Sequence, residues 1–262
     1  MCDTVCSIQP GRTLFAKNSD RPMSEPQVID TFAARTAGGP GQLHTQYLAI
    51  DDEGAAALVG ARPDWLWGLE HGVNEHRVAI GNEKLWTFDD ATTTPPGLIG
   101  MDLVRLGLER AHDADEALTT ITDALATHGQ GGVADNVAQE SYFSSFLIAD
   151  PTKAWVLETS SRNWAAREIT GGGAAISNRI SLGRDWTRAS DRVGPGDDWD
   201  RFRDPDAWTG LADVRLAVSR PVVEQAAAPP SVHDLVRLLR DHGDGAGLPS
   251  PDIGADGTGI TV

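Results

Sequence analysis

Cys2 and the polar run Lys17-Asn18-Ser19-Asp20-Arg21-Pro22 hold the side chains best suited to chemistry in this chain. A methionine ahead of a small residue is readily removed, which would leave Cys2 as the N-terminus, with a thiol and an α-amine on one carbon. The thiolate is the reactive species, and a thiol with an ordinary pKa of about 8.5 needs a base or a cation beside it. An α-amine, with an ordinary pKa of about 7.7 to 8.0, can be that base. Cys2 fits equally well as a small buried residue on a first strand. The second cysteine, Cys6, favours the structural role: four residues along a strand, at ~3.3 Å each, puts the two sulfurs about 13 Å apart, beyond disulfide reach.

The elements that must position these groups are readable in part. Apolar and polar residues alternate from Thr4 to Ile8, break at Gln9-Pro10-Gly11 and resume through Leu14 and Phe15, which predicts a β-hairpin running into the Lys17–Pro22 stretch. Further strands are expected over Thr45–Ile50, Ala55–Gly60, Arg77–Gly81, Ser145–Asp150, Ala154–Thr159 and Ala174–Ile180, the 145–159 pair forming a second hairpin. Apolar residues at helical spacing predict helices over Leu98–Arg110, Asp113–His128 and Ser231–Asp241. Asp113 with Glu116 and Gly129, and Ser231 with Gly243, supply start and stop signals for the last two. Ser190–Asp213 and Asp241–Gly259 read as loops, and Ile260–Val262 as the beginning of a strand. No composition shift marks a linker, so residues 1–262 are expected to form one α+β domain.

Composition narrows the classes of function. There are 38 acidic residues against 22 basic ones, for a formal net charge of -16, which disfavours nucleic-acid binding. Asp outnumbers Glu 27 to 11, and only Lys17, Lys84 and Lys153 stand beside 19 arginines. Self-repulsion at that charge is screened at molar salt, where the Debye length is ~3 Å, so a halophilic source is expected. Two cysteines, no basic-then-apolar leader and no long apolar run predict a cytoplasmic protein without a membrane partner.

Seven strings in order, MCDT, KNSDRP, RPDWLWGLEHGVNEHRVAIGNE, GLIGMDLVRLGLERA, HGQGG, AWVLETSSRNWAA and ISNRISLG, carry a resemblance that spacing alone does not. Together, from Cys2 to Gly183, they resemble the secernin family, grouped with bacterial cysteine dipeptidases. The resemblance implies the N-terminal nucleophile hydrolase fold, a four-layer αββα sandwich, and hydrolysis of amide bonds in dipeptides or similar short substrates. Bile salt hydrolase and penicillin V acylase are implied as more distant relatives. Family members usually continue past the position of Val262, which implies that part of the sandwich is missing here or comes from a companion chain or a second copy.

By the same resemblance, Cys2 matches the nucleophile and Asp20 the acidic partner that orients its α-amine. Lys17 takes the place of an arginine beside the nucleophile, where a cation lowers the thiol pKa. Asn82 and Asn178 match asparagines that line the active site and could hold the oxyanion. Arg21 could bind a substrate carboxylate or simply pair with acids. Two other functions stay open: an acylase acting on N-acyl amines, and a non-catalytic interaction protein that keeps Met1.

Other residues argue for less. Asn74-Glu75-His76 looks catalytic in isolation, but a histidine near a strand start suits a hydrogen-bonded structural role, and Gly129-Gln130-Gly131-Gly132 follows a helix instead of opening one, unlike a phosphate cradle. Trp65 and Trp67, at alternate positions of an expected strand, could wall a pocket or pack a core. The seven histidines have no metal-ligand spacing, so neither metal nor other cofactor is expected.

Overall fold

The computed structural model describes residues 2–22, 24–38 and 41–241. In chain order the strands and helices are β1 (Asp3–Gln9), β2 (Arg12–Asn18), β3 (Gln27–Phe32), β4 (Gln42–His44), β5 (Ala49–Asp51), β6 (Leu58–Pro63), β7 (His71–Asn74) and β8 (Ala79–Leu85). Then come α1 (Gly100–Arg110), α2 (Ala114–His128), β9 (Phe143–Ala149), β10 (Ala154–Ser160), β11 (Asn163–Ile169), β12 (Gly172–Ser177), β13 (Arg188–Ala189), α3 (Gly210–Val223) and α4 (Val232–Leu239).

Four layers result. A large antiparallel sheet has the order β13-β11-β10-β9-β8-β7-β6-β3, and a small one the order β12-β1-β2. Helices α1 and α2 pack on the outer face of the large sheet, and α3 and α4 on the outer face of the small one. The small sheet stacks against β8 to β11 of the large one. This is the αββα arrangement expected above.

The pleat explains the sequence of the central strands. Val5 and Cys6 point to opposite faces of β1: Val5 joins Leu216, Val223 and Leu235 under the small sheet's helices, whereas Cys6 joins Leu85, Leu147 and Ile176 between the sheets. β9 and β10 are buried on both faces and read FSSFLIA and AWVLETS, with no clean alternation. β3 lies at the far edge of the large sheet, alternates half-buried with exposed residues, and leaves Ile29 79% exposed.

Local signals set the helix ends. Asp113 Oδ1 accepts from Glu116 N at 2.8 Å, and Gly129, at φ 76°, closes α2 in a conformation that favours glycine. Ser231 and Asp234 form a reciprocal capping box on α4.

The structure departs from the sequence-based expectations in several places. Thr45–Leu48 is a turn, with Thr45 N donating to Leu48 O at 2.8 Å, so of the expected Thr45–Ile50 strand only Ala49 and Ile50 lie in β5. β3, β7 and β11 fall outside every strand predicted above, and α3 begins inside the Ser190–Asp213 stretch read as a loop. Trp65 and Trp67 lie in the turn after β6: Trp65 donates to Glu25, and Trp67 stacks under the Arg105 guanidinium. Asn74 clasps α1, donating to the Leu108 and Ala111 carbonyls, which gives it a structural role. The loop expected over 242–259 and the strand expected over 260–262 lie outside the described residues. Among the described residues no helix is long and apolar enough to cross a membrane.

Candidate active site

Antiparallel register assembles the site. β1 runs against both neighbours of the small sheet, with Asp3 opposite Ser177 of β12 and opposite Asn18 of β2. The residue before Asp3 therefore meets the residues just after β12 and β2. Those are Cys2 on one side and, on the other, Asn178 and the Ser19-Asp20-Arg21 turn.

Both ends of Cys2 are held. Its main-chain nitrogen donates to Asn178 Oδ1 at 2.7 Å, and its sulfur accepts from the Asp20 main-chain N–H at 3.4 Å. Ser177 Oγ donates to the Cys2 carbonyl at 3.2 Å. Asn178 spends its Nδ2 on the Lys84 carbonyl at 3.0 Å, which ties the end of β12 to β8 across the sheets. Asn178 is thus an orienter of the Cys2 nitrogen, with its donor group already occupied.

β8 alternates its contacts. Gly81, Glu83 and Leu85 meet the small sheet or the core between the sheets, whereas Asn82 reaches α1. Lys17, opposite Thr4 in the register, extends over Gly81, where an added Cβ would lie 2.9 Å from Lys17 Cδ. Its Nζ lies 3.6 Å from Glu83 Oε2 and donates to the Asn18 carbonyl at 3.2 Å, and neither charged side chain has any exposed surface. The Thr4 hydroxyl donates to Glu83 Oε1.

Electrostatics at the thiol are a contest. Burial pushes the Cys2 thiol up, the Lys17 cation pulls it down, and Glu83 and Glu70 push it up again; the net direction is up. Burial would lower Lys17, yet the Cys2 thiolate, Glu83, Glu70 and Asp3 outweigh it and hold Lys17 charged. Burial raises the Glu83 carboxyl to about 7 despite Lys17 and the Thr4 hydrogen bond.

Five of the six candidate residues line one cavity of about 150 Å³: Cys2, Asp20, Arg21, Asn82 and Asn178. Lys17 is not among its lining residues and acts on Cys2 as a neighbouring buried charge. That is well above the ~10–15 Å³ that a single water needs, so the cavity has room for a small group. A neighbouring groove of about 420 Å³ shares Lys84, Trp86 and Tyr142 with it.

Asn82 is buried; its Nδ2 faces Met101 Sδ at 3.4 Å, and its Oδ1 has no hydrogen-bond partner among the described residues. Arg21 is heavily engaged: Nε lies 2.9 Å from Glu25 Oε2 and 3.7 Å from Glu70 Oε1, and both terminal nitrogens donate to the Ala134 carbonyl at 3.1 Å. Its guanidinium therefore braces the wall of the cavity, and a bidentate grip on a ligand would require breaking these contacts.

Sequence reasoning passed over Glu70, Lys84, Trp86, Asp135 and Tyr142, which complete the lining, and Glu83 beneath it. Glu83 ends the string that carried the resemblance, next to Asn82, and Lys84 follows it, so strand alternation around Asn82 could have found them. Lys84 pairs with Glu140 and lies 4.6 Å from the Trp86 ring centroid. Among the described residues no group of three or more His, Cys, Asp or Glu side chains could hold a metal ion.

No family model matches the chain. The solved structure of the Caenorhabditis elegans ortholog of N-acylethanolamine-hydrolyzing acid amidase is 14% identical and matches 95% of this chain and 89% of its own, with a TM-score of 0.51. The fold is that of the N-terminal nucleophile hydrolases. The C2A mutant of conjugated bile acid hydrolase from Clostridium perfringens is 15% identical over 70% of this chain, at a TM-score of 0.49. Penicillin V acylase from Agrobacterium tumefaciens is 12% identical over 65%, at 0.42. The chain spans about half the length of these last two, 54% and 50%.

Proposed function

We propose that this chain is a cysteine-dependent amide hydrolase of the secernin type, acting on dipeptides or comparably short amides. The observation that carries the reading is the double hold on Cys2, nitrogen on Asn178 Oδ1 and sulfur on the Asp20 main-chain N–H, with a buried cation acting on the thiol. Once Met1 is removed, the held nitrogen is an α-amine beside the thiol. It takes the thiol proton, the thiolate attacks the amide carbonyl, and the amine returns the proton to the leaving nitrogen. Water then resolves the thioester by the same base. The Asp20 carboxylate, at the cavity, favours the charged amine and orients it.

The tetrahedral intermediate needs donors at its oxygen. Asn82 is the side chain with capacity for this. Turning its carboxamide exchanges a weak contact to sulfur for a donor aimed at the cavity, and it breaks no hydrogen bond at Oδ1. A short zwitterionic substrate suits a small cavity carrying Lys84 together with Glu70 and Asp135. An acylase is the second reading, favoured by the groove that continues past Lys84 and Trp86 and would take a longer acyl group.

The test is a panel of dipeptides against N-acyl amines, on protein whose intact mass shows Met1 removed. Dipeptide turnover that disappears in Cys2→Ala supports the main reading; turnover of N-acyl amines alone transfers it to the acylase. Retained Met1 in the native host, with neither activity, replaces both with an interaction protein.

A further inference from the structure

The proposed mechanism leaves one buried acid unused. Glu83 is fully enclosed, its Oε1 takes the Thr4 hydroxyl, and its Oε2 has no hydrogen-bond partner among the described residues, with Lys17 Nζ 3.6 Å away. The other charges facing this spot are grouped in pairs. Asp3 of β1 is bound by Arg215 of α3 at 2.5 Å, and Glu70, ahead of β7, faces Arg21 at 3.7 Å. His71 of β7 is kept neutral by burial and by Lys17, which lower it to about 4. Asp20 shares the cavity with Cys2. Besides the α-amine that Cys2 itself carries once Met1 is removed, what remains is one side-chain ammonium, Lys17, 3.6 Å from Glu83 and acting on the Cys2 thiol.

We propose that Glu83 is a positioning residue that divides the charge of Lys17 between its own carboxylate and the Cys2 sulfur. This rests on the amide hydrolase reading only for its consequence in turnover. With Glu83 ionised, the ammonium is balanced by the carboxylate and the thiol stays protonated. With Glu83 protonated, the ammonium is free to balance a thiolate. Loss of the thiol proton and uptake of a proton by Glu83 therefore favour one another, and the two groups titrate as a coupled pair. Thr4 tunes the balance, because its hydroxyl supports the ionised carboxylate.

The experiment is the pH dependence of iodoacetamide alkylation at Cys2, read by mass spectrometry on the full chain, with Cys6 as the internal reference. Glu83→Gln should lower the Cys2 midpoint by about one pH unit and sharpen a broadened curve. Lys17→Met should raise the midpoint. Adding Glu83→Gln to Lys17→Met should then change nothing, because a buried carboxyl without its cation already keeps its proton. An unchanged midpoint in Glu83→Gln, or an equal drop with and without Lys17, overturns the proposal. Should Glu83→Gln not fold, Thr4→Val carries the test: a smaller drop supports coupling, and no drop or a rise overturns it. The titration is read without turnover. Protein that titrates as stated but cleaves no amide overturns the hydrolase reading alone, and protein that cleaves amides with an unmoved midpoint overturns this inference alone.

Discussion

Cys2 and Cys6 lie four residues apart on the same side of one chain segment, both buried thiols and both unbridged. Around Cys6 the neighbours are Leu85, Leu147, Ile176 and Ile180, and burial pushes its thiol up to about 12, little relieved by the Ala174 main chain. Around Cys2 burial acts in the same direction, but Lys17 opposes it and two hydrogen bonds fix the residue's ends. Burial is common to both; a cation and the strand register separate them. The difference between the two thiols follows from their place relative to β1, one just before its start and one within it, and from where its antiparallel partners end.

That contrast can be broken most directly by exchanging the thiols one at a time. Cys2→Ala should reduce amide turnover by about 10⁴-fold or more, the scale for loss of a nucleophile. Cys6→Ala should leave turnover within about twofold and cost about 1 kcal/mol of stability in a denaturant melt, the scale for one buried heavy atom. Equal losses of activity in the two variants would erase the distinction.

Asn82→Ala tests whether the Cys2 region has an oxyanion donor that the Cys6 region lacks, and should cut kcat by about 10² to 10³ with little change in KM. Lys17→Met removes the cation that lowers the Cys2 thiol, so the thiol pKa rises and the rising limb of the pH–rate profile moves to higher pH. At neutral pH, kcat/KM should fall about tenfold or more, a decade of rate for every tenfold loss of thiolate. Alkylation of Cys6 should not respond.

The smallest effect concerns stability. Glu83 is raised from 4.5 to about 7, so the folded state holds its proton where the unfolded state has released it. The sign follows from linkage: its stabilisation is complete below about pH 4.5 and is lost as pH climbs toward about 7. Calorimetric melts should show that slope, Glu83→Gln should flatten it, and Cys6→Ala should leave it in place.

How far the sequence spoke depended on whether a signal was local. The first hairpin, α1, α2 and the Asp150 hairpin announce themselves through alternation, helical spacing and caps, each within about fifteen residues. β7 has four residues, two of them His71 and Gly72, and owes its strand form to β6 and β8 on either side. α3 carries Pro221 and follows an aspartate-rich loop, so its helicity depends on packing against the small sheet. In the site, Cys2, Asp20 and Lys17 were legible because two adjacent strands bring them together. Glu70 arrives from the loop before β7, and Asp135 and Tyr142 from the loop between α2 and β9, and no spacing joins the two loops before the sheet is built.

Gly81 carries no functional group, yet the stem of Lys17 lies where its side chain would be, and Phe15 and His71 close off the space beside it. A single methyl at that point on the large sheet would displace the Lys17 stem while changing no charged residue and no other candidate catalytic residue. The charge beside the thiol can therefore drift by inheritance through a position that bears no functional group, graded by the size of one apolar group.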